Sequence, residues 1–296
     1  MNNKNILIII VLFLATAISF VIFWPDSRLH LIACDVGQGD AILIIKGFDQ
    51  ILVDGGPNDK VLGCLARHMP FWDKKIELVV NTHPEADHLK GLVSVLESYE
   101  VDQLLANSEI NDTDLFTQFH DLVMNKKIKV YSPREGEKIK IGGVEFAVLW
   151  PQERVGDLAL WTKPLPDKLA VLGATSTKES LNKYSVVLLL KYGRFTALMP
   201  GDIPKDQEAR IVSFCQTANC PENISVLKVS HHGSATSTSQ GFLDYFKPKE
   251  AIISVGENQW GHPRQEVLDR LVGVGSKILR TDLAGDVQIT SDGNNN

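Results

Sequence analysis

The sequence predicts a layered α/β domain, with helices outside two sheets, behind one apolar segment at its start. Three observations predict it. An apolar run extends from Ile6 to Trp24, two rounds of short apolar segments pass into alternating strand and helix patterns, and several of those segments end in polar, ligand-rich loops. With 296 residues, 44% of them apolar, the chain can bury a substantial core. The formal net charge of −6 argues against a protein that coats nucleic acid, since basic side chains on phosphates supply most of that affinity. It does not exclude a nuclease whose metal ions hold the phosphate. The local basic stretch of Lys126, Lys127, Lys129, Arg134, Lys138 and Lys140 reads as a solvated face.

The first segment is long enough, at roughly 19 residues, to span a bilayer as a helix, and Lys4 before it favours an N-terminus in the cytoplasm and the remainder outside. Residues 1–28 are therefore expected to be an anchor or signal segment with its linker, and residues 29–293 the folded domain. Small residues at Ala15 and Ala17 leave cleavage and secretion open as the alternative, although the apolar run continues past them.

Leu29–Cys34, Ala41–Ile45 and Ile51–Val53 read as successive strands, punctuated by Gly37, Gly39 and Gly47. Val61–Met69 looks helical, Leu78–Asn81 a strand, and Leu89–Leu96 the start of a helix with Leu92, Val93 and Leu96 on one face. Val101–Leu105 is a strand and Leu115–Met124 an amphipathic helix. The second round has strands at Val144–Leu149, Ser185–Leu190, Phe195–Met199, Val226–Val229, Ala251–Val255 and Val287–Thr290. Helices are expected at Pro204–Phe214, Gly241–Phe246 and Pro263–Leu271. Residues 151–182 show no clear period and read either as a lid over a cleft or as a surface insertion. Cys34 reads as core packing. Cys215 and Cys220 are close enough to bridge in an oxidising compartment, with two buried thiols as the alternative.

The segment richest in chemistry is Asn81 to His88, which holds His83, Glu85, Asp87 and His88 between an apolar strand and an apolar helix. Imidazole and carboxylate ligands at this density suit Zn, Mn or Fe. Three other strand ends carry groups of the same kind: Asp54 with Gly55 and Gly56, Asp202 after Gly201, and His231-His232 before Gly233 and Ser234. Singly, each is an ordinary capping acid or surface histidine; jointly, they point to one site at the strand ends of an α/β fold.

Together these signposts resemble the metallo-β-lactamase superfamily, and within it the extracytoplasmic hydrolase domain of the ComEC-type competence proteins that take up DNA. The matching residues run from Asp35-Val36-Gly37-Gln38-Gly39-Asp40 through Asp54, His83 to His88, Gly201-Asp202-Ile203 and His231 to Ser234, ending at Gly261-His262-Pro263. The resemblance implies a four-layer αββα metallo-β-lactamase sandwich, and the apolar run at the start adds one transmembrane helix before it. It implies one or two divalent ions, Mn or Zn: His83 and Glu85 for the first, Asp87 and His88 for the second, Asp202 bridging, and His231 or His232, more naturally His232, completing the second. Asp35, Asp40, Asp54 and Ser234 would support the ligands. Asp87, His262 and Lys228 would take part in the reaction, His262 at the leaving group and Lys228 at developing negative charge. The implied activity is phosphodiesterase or nuclease, using a metal-bound hydroxide on a phosphodiester substrate such as single-stranded DNA. With one apolar span the chain cannot itself form a DNA-uptake channel, and it is expected either to act beside one or to act alone on phosphodiesters in the envelope.

Two departures bear on this. Glu85 stands where the superfamily has a histidine, and the histidine that usually precedes the bridging Asp is missing. Asn182 and Ser185 occupy that stretch, while His120 is expected on the surface of a helix. The first metal position is therefore oxygen-rich, which favours a harder ion such as Mn. A hydrolase of another ester, lactone or lactam, and a binding module without activity, are the competing readings.

Overall fold

The computed structural model describes residues 3–22, 24–153, 160–161 and 181–294. Helix α1 (Asn3–Ile22) precedes a sandwich of two seven-stranded sheets. The first sheet contains β1 (Leu29–Ala33), β2 (Ile42–Lys46), β3 (Asp49–Val53), β4 (Lys75–Asn81), β5 (Glu100–Ala106) and β6 (Lys129–Tyr131). The second contains β7 (Lys138–Ile141), β8 (Val144–Trp150), β9 (Val187–Tyr192), β10 (Phe195–Met199), β11 (Val226–Lys228), β12 (Glu250–Ile253) and β13 (Lys277–Arg280). The last strand, β14 (Val287–Ser291), returns to pair antiparallel with β1, so the sheets run β14-β1-β2-β3-β4-β5-β6 and β13-β12-β11-β10-β9-β8-β7.

Period-two alternation decides which core each strand serves. Ile42 and Ile44 of β2 face the other sheet, alongside Leu188 and Leu190 of β9 and Phe195, Ala197 and Met199 of β10. The intervening Leu43 and Ile45 face the opposite way, onto helices α2 (Lys60–His68), α3 (Ala86–Ser98) and α4 (Asp114–Asn125). Val187, Leu189, Leu198 and Leu227 pack beneath α5 (Lys205–Ala218), α6 (Gln240–Phe246) and α7 (Gln265–Gly273). Three separate apolar cores thus lie between four layers, helix, sheet, sheet and helix, as the sequence suggests. Central strands such as β2, β9 and β10 are apolar on both faces because both are covered.

Strands β6, β7 and β13 and the short helix α8 (Thr281–Ala284) were not anticipated. The basic stretch explains the first two. Strands β6 and β7 are edge strands, and lysines on an edge discourage pairing with another chain. In β7, Lys138 and Lys140 reach Glu145 at 3.1 and 3.3 Å while Ile139 and Ile141 pack toward the inner core. The solvated-face reading holds, on a strand.

His120 corrects an expectation. It is buried, not on the surface: Phe116, Phe119, His120 and Val123 form one stripe of α4, so the helical period that makes α4 amphipathic carries His120 inward. Its ring stacks on Trp161 at 5.6 Å, and Nε2 lies 2.8 Å from the Leu160 carbonyl. Cys34 is core packing, as expected, and is also joined to Cys64 of α2, a pairing across 30 residues that only the tertiary fold brings about. Cys215 and Cys220 are bridged. Most of residues 151–182, where a lid or insertion is expected, lies outside the described residues.

The two chain ends of the sandwich are held by one acid. Asp286, just before β14, accepts hydrogen bonds from the Asp35 backbone N–H (2.9 Å) and from Arg67 Nε and Nη2 (2.9 and 2.7 Å), with His68 Nε2 at 2.9 Å. Burial opposes its ionised form, but these donors hold the carboxyl below its ordinary value. A depressed folded pKa contributes stability that is present above the unfolded value and lost as pH falls through the folded one. Asp286→Asn is therefore expected to cost about 1 kcal/mol at pH 7, after allowance for the exposure of Arg67. The gap from the unsubstituted protein should close as thermal melts are repeated down to pH 3; a gap that persists there would assign Asp286 a role independent of its charge.

Candidate metal centre

The loops at one edge of the sandwich follow β3, β4, β10, β11 and β12, and each delivers a polar group to one place. From the loop after β4 and the first turn of α3 come His83, Asp87 and His88. Asp202 follows β10 and His232 follows β11. One ligand atom from each of Asp87, His88, Asp202 and His232 lies within 4.8 Å of the others. His88 Nε2 is 3.4 Å from Asp202 Oδ2, and His232 Nε2 is 3.4 Å from Asp87 Oδ2 and 3.5 Å from Asp202 Oδ2. The His83 ring lies 4.2 Å from that of His88.

Each of these groups is aimed by another. Asp54 accepts from the Thr82 backbone N–H (2.8 Å) and Thr82 Oγ1 (2.7 Å), and its Oδ2 lies 2.8 Å from His88 Nδ1, which turns His88 Nε2 toward Asp202. That is the carboxylate–imidazole arrangement that orients metal-binding histidines. His232 Nδ1 lies 2.9 Å from the Ser254 carbonyl, the geometry of an N–H donor, which leaves Nε2 for the cluster. Asp202 is placed through its backbone N–H, which donates to Ser185 Oγ at 3.2 Å. Asp54, His231 and His232 hold φ of 60°, 51° and 53°, a left-handed conformation that residues with side chains seldom take and that tends to gather at functional sites.

Burial works against every charge here; neighbouring opposite charges overcome it at Asp40, Asp202, His88 and His232, whereas burial raises the Asp54 carboxyl above its ordinary value. Lys228, then His232, hold the buried Asp40 carboxyl well below the usual carboxylate range. His232 and His88 do the same for Asp202. Burial disfavours the charged form of His88, yet Asp202 and Asp54 raise its pKa well above the ordinary value. His232 rises to about 9 against the same burial, under Asp202 and Asp40. Burial brings His83 down to about 3 and, helped by His231, His262 down to about 4, so both imidazoles are neutral at neutral pH.

The buried Nε2 atoms of His83, His88 and His232 and Oδ1 of Asp202 have no hydrogen-bond partner. Such atoms are rare in folded proteins. These imidazole nitrogens, two of them 3.4 to 3.5 Å from carboxylate oxygens, form with the carboxylates a donor set that fits a divalent cation and supports divalent metal use.

The remaining expected residues fall into three groups. Glu85, His231 and His262 line the cleft that opens onto the cluster rather than joining the four converging residues, and His231 Nε2 stands 3.8 Å from Asp202. Asp40 and Lys228 lie buried behind the cluster: Lys228 Nζ contacts the Asp40 carboxylate and lies 3.6 Å from Asp202 Oδ1. Lys228 is thus placed to neutralise these carboxylates from behind, and it is not part of the cleft wall. Asp35 and Ser234 serve their own loops. Asp35 Oδ1 accepts from the Gly37 N–H, and Ser234 Oγ pairs with Thr236 Oγ1. Sequence reasoning missed Thr82 and Ser254; Thr82 had a signal in its place beside His83, whereas Ser254 contributes only a backbone carbonyl and had none.

No family model matches the chain. It is 26% identical over 279 residues to ComE operon protein 3 of Bacillus subtilis, covering 86% of this chain and 32% of that protein. It is 37% identical over 269 residues to competence protein ComA of Neisseria gonorrhoeae, covering 89% and 32%. The chain thus spans about a third of the length of the relatives it matches. Among solved structures, the metallo-β-lactamase fold protein YhfI from Bacillus subtilis superposes with a TM-score of 0.55 at 12% identity, covering 89% of this chain and 100% of that one. CmlA from Streptomyces venezuelae, a diiron β-hydroxylase, gives 0.54 at 13%, covering 90% and 54%. The chain has the metallo-β-lactamase fold, and its sequence is related to one segment, about a third, of proteins named for competence.

Proposed function

We propose that the chain is a metal-dependent phosphodiesterase or nuclease that acts outside the cytoplasm from a membrane anchor. The observation that carries the hydrolase reading is the convergence of Asp87, His88, Asp202 and His232 on one place, with Asp87 and His232 lining an open cleft of about 1080 Å³. His83, Asp87, His88, Asp202 and His232 would hold the ion or ions, with Glu85 and His231 next in reach. Mn or Zn bound there supplies Lewis acidity toward a phosphoryl oxygen and activates water at neutral pH.

The chain's own residues do the rest. Asp54 and Ser254 keep two imidazoles in one tautomer and orientation, so the ligands are preorganised. Asp87 is held ionised near pKa 2 against its burial by His88 and His232, which makes it a ligand or proton acceptor rather than a proton donor. Lys228 offsets the charge of Asp40 and Asp202, so that the cluster does not repel an anionic diester as strongly as its carboxylates alone would. His262, neutral and on the cleft wall, offers an N–H to the leaving-group oxygen. Similarity to competence proteins supports a phosphodiester over a lactam or lactone, and DNA-uptake machinery as a partner.

Among the described residues no helix is long and apolar enough to cross a membrane, and the side chains of residues 15 and 17–22 are not among those described. Support for an anchor comes from the apolar run itself and from Ile6 to Leu14, which stand 40 to 70% exposed. Two disulfides suit an oxidising compartment. The full chain is expected in the membrane fraction, resistant to salt washing and released by detergent, while deletion of residues 1–28 should free it. Recovery of the intact chain in the soluble fraction would refute the anchor.

The activity test is cleavage of single- and double-stranded DNA and of a small phosphodiester reporter with Mn, Zn or Mg. Asp202→Ala should lower the rate by at least about 10²-fold. Turnover of esters or lactones in place of any phosphodiester would replace the substrate class, and absence of both turnover and bound metal would make the chain a binding module. Asp54→Asn keeps the shape of its side chain but weakens its grip on His88, so metal affinity measured by competition with a chelator should fall about 10- to 100-fold. An unchanged affinity would mean that His88 is not a ligand.

A further inference from the structure

The cleft is much larger than the metal cluster needs, and one part of its wall has an unusual composition. The loop after β12 presents Trp260 and His262 there, with Lys60 and Lys90 in the same cleft. Trp260 is 56% exposed, although its loop is firmly held. Asn258 Oδ1 accepts from the backbone N–H of Trp260 (3.1 Å) and of His262 (3.0 Å), and its Nδ2 donates to the carbonyls of Gly256 and His262, both at 2.9 Å. Arg264 Nη1 donates to the Trp260 carbonyl at 3.3 Å. The indole lies nearly parallel to the His262 ring, 28° between planes and 6.3 Å between centroids, and the His262 ring is 5.8 Å from that of His231. A large aromatic surface is thus fixed at the cleft mouth, two ring-to-ring steps from a histidine beside Asp202.

We propose that Trp260 is a stacking platform for a base of a single-stranded nucleic acid, at the nucleotide next to the phosphate held over the metal cluster, with Lys60 and Lys90 meeting the strand's backbone. The inference rests on the phosphodiesterase reading and narrows its substrate. Three considerations lead to it. The carboxylates of Glu85 and Glu257 share the cleft and the chain is net acidic, so phosphate attraction alone gives little affinity. Stacking adds affinity without charge and tolerates any sequence, because every base has a π-face. A base within a duplex has both faces covered by its neighbours, so a single indole face selects for the unpaired strand.

Binding separates this from the hydrolase reading. Anisotropy of labelled oligothymidylate would be measured on the full chain carrying Asp202→Asn, alone and with Trp260→Ala or Trp260→Phe, against an abasic strand with the same number of phosphates. Trp260→Ala is expected to weaken binding of the thymine strand about 5- to 100-fold, the weight of one stacked base, with Trp260→Phe recovering much of it. All three proteins should bind the abasic strand alike. No weakening, or equal weakening on the abasic strand, overturns the stacking role. Absence of single-strand binding by any of the proteins also overturns it. Turnover of the small diester reporter by the chain with Asp202 intact then decides separately whether the phosphodiesterase reading falls too.

Discussion

The site depends on how closely α3 is seated against the loop that follows β3. Gly55 N–H donates to the His88 carbonyl, Gly91 N–H donates to the Gly56 carbonyl, and Asp54 N–H donates to the Val80 carbonyl. A Cβ on Gly91 would collide with the Gly55 carbonyl, and one on Gly55 with the backbone of Leu92. A glycine inside a helix costs roughly 1 kcal/mol relative to alanine. Here it permits an approach that no other residue allows, and that approach puts the Asp54 carboxylate against His88. The same contact seats the first turn of α3, which carries Asp87 and His88 together, and so decides where half of the cluster lies.

The second half comes from the other sheet and is aimed by different means. No histidine precedes Asp202 on its own stretch of chain; its backbone N–H is taken by the Ser185 hydroxyl. His232 is turned by a backbone carbonyl at the end of β12. Behind both, Lys228 sits where its ammonium balances two buried carboxylates. Charges this deeply buried are tolerated only when paired, so Asp40, Asp202, Lys228, His88 and His232 form one electrostatic unit. The unit spans both sheets, which makes the inner apolar core between them a requirement of the chemistry as well as of stability.

Much of the fold was legible from the chain. Period-two alternation that becomes unbroken apolar character in β2, β9 and β10 signals strands covered on both faces, and glycines and prolines mark where they stop. Strands β6, β7 and β13 were not legible. Each is short and lies at a sheet edge, and charged side chains interrupt each of them, so no apolar pattern announces them. His120 was misplaced because a histidine on an amphipathic helix is counted as polar, whereas its position one turn from Phe116 puts it on the apolar stripe.

For the site, local sequence by itself determined which loops carry ligand chemistry, because strand, turn and acidic or imidazole group lie within a few residues of each other. Residue order could not reveal which of those groups meet. Only the tertiary structure brought His232 rather than His231 toward Asp87, set Glu85 on the cleft wall, withdrew Lys228 behind the carboxylates, sent Asp35 away to its own turn and joined Cys34 to Cys64. The physical reason is that contacts are set by packing between segments far apart in the chain: it brings Lys228 of β11 behind the carboxylates and Cys64 of α2 against Cys34, and in the loops it imposes backbone angles such as the left-handed φ of Asp54, His231 and His232 that aim each side chain.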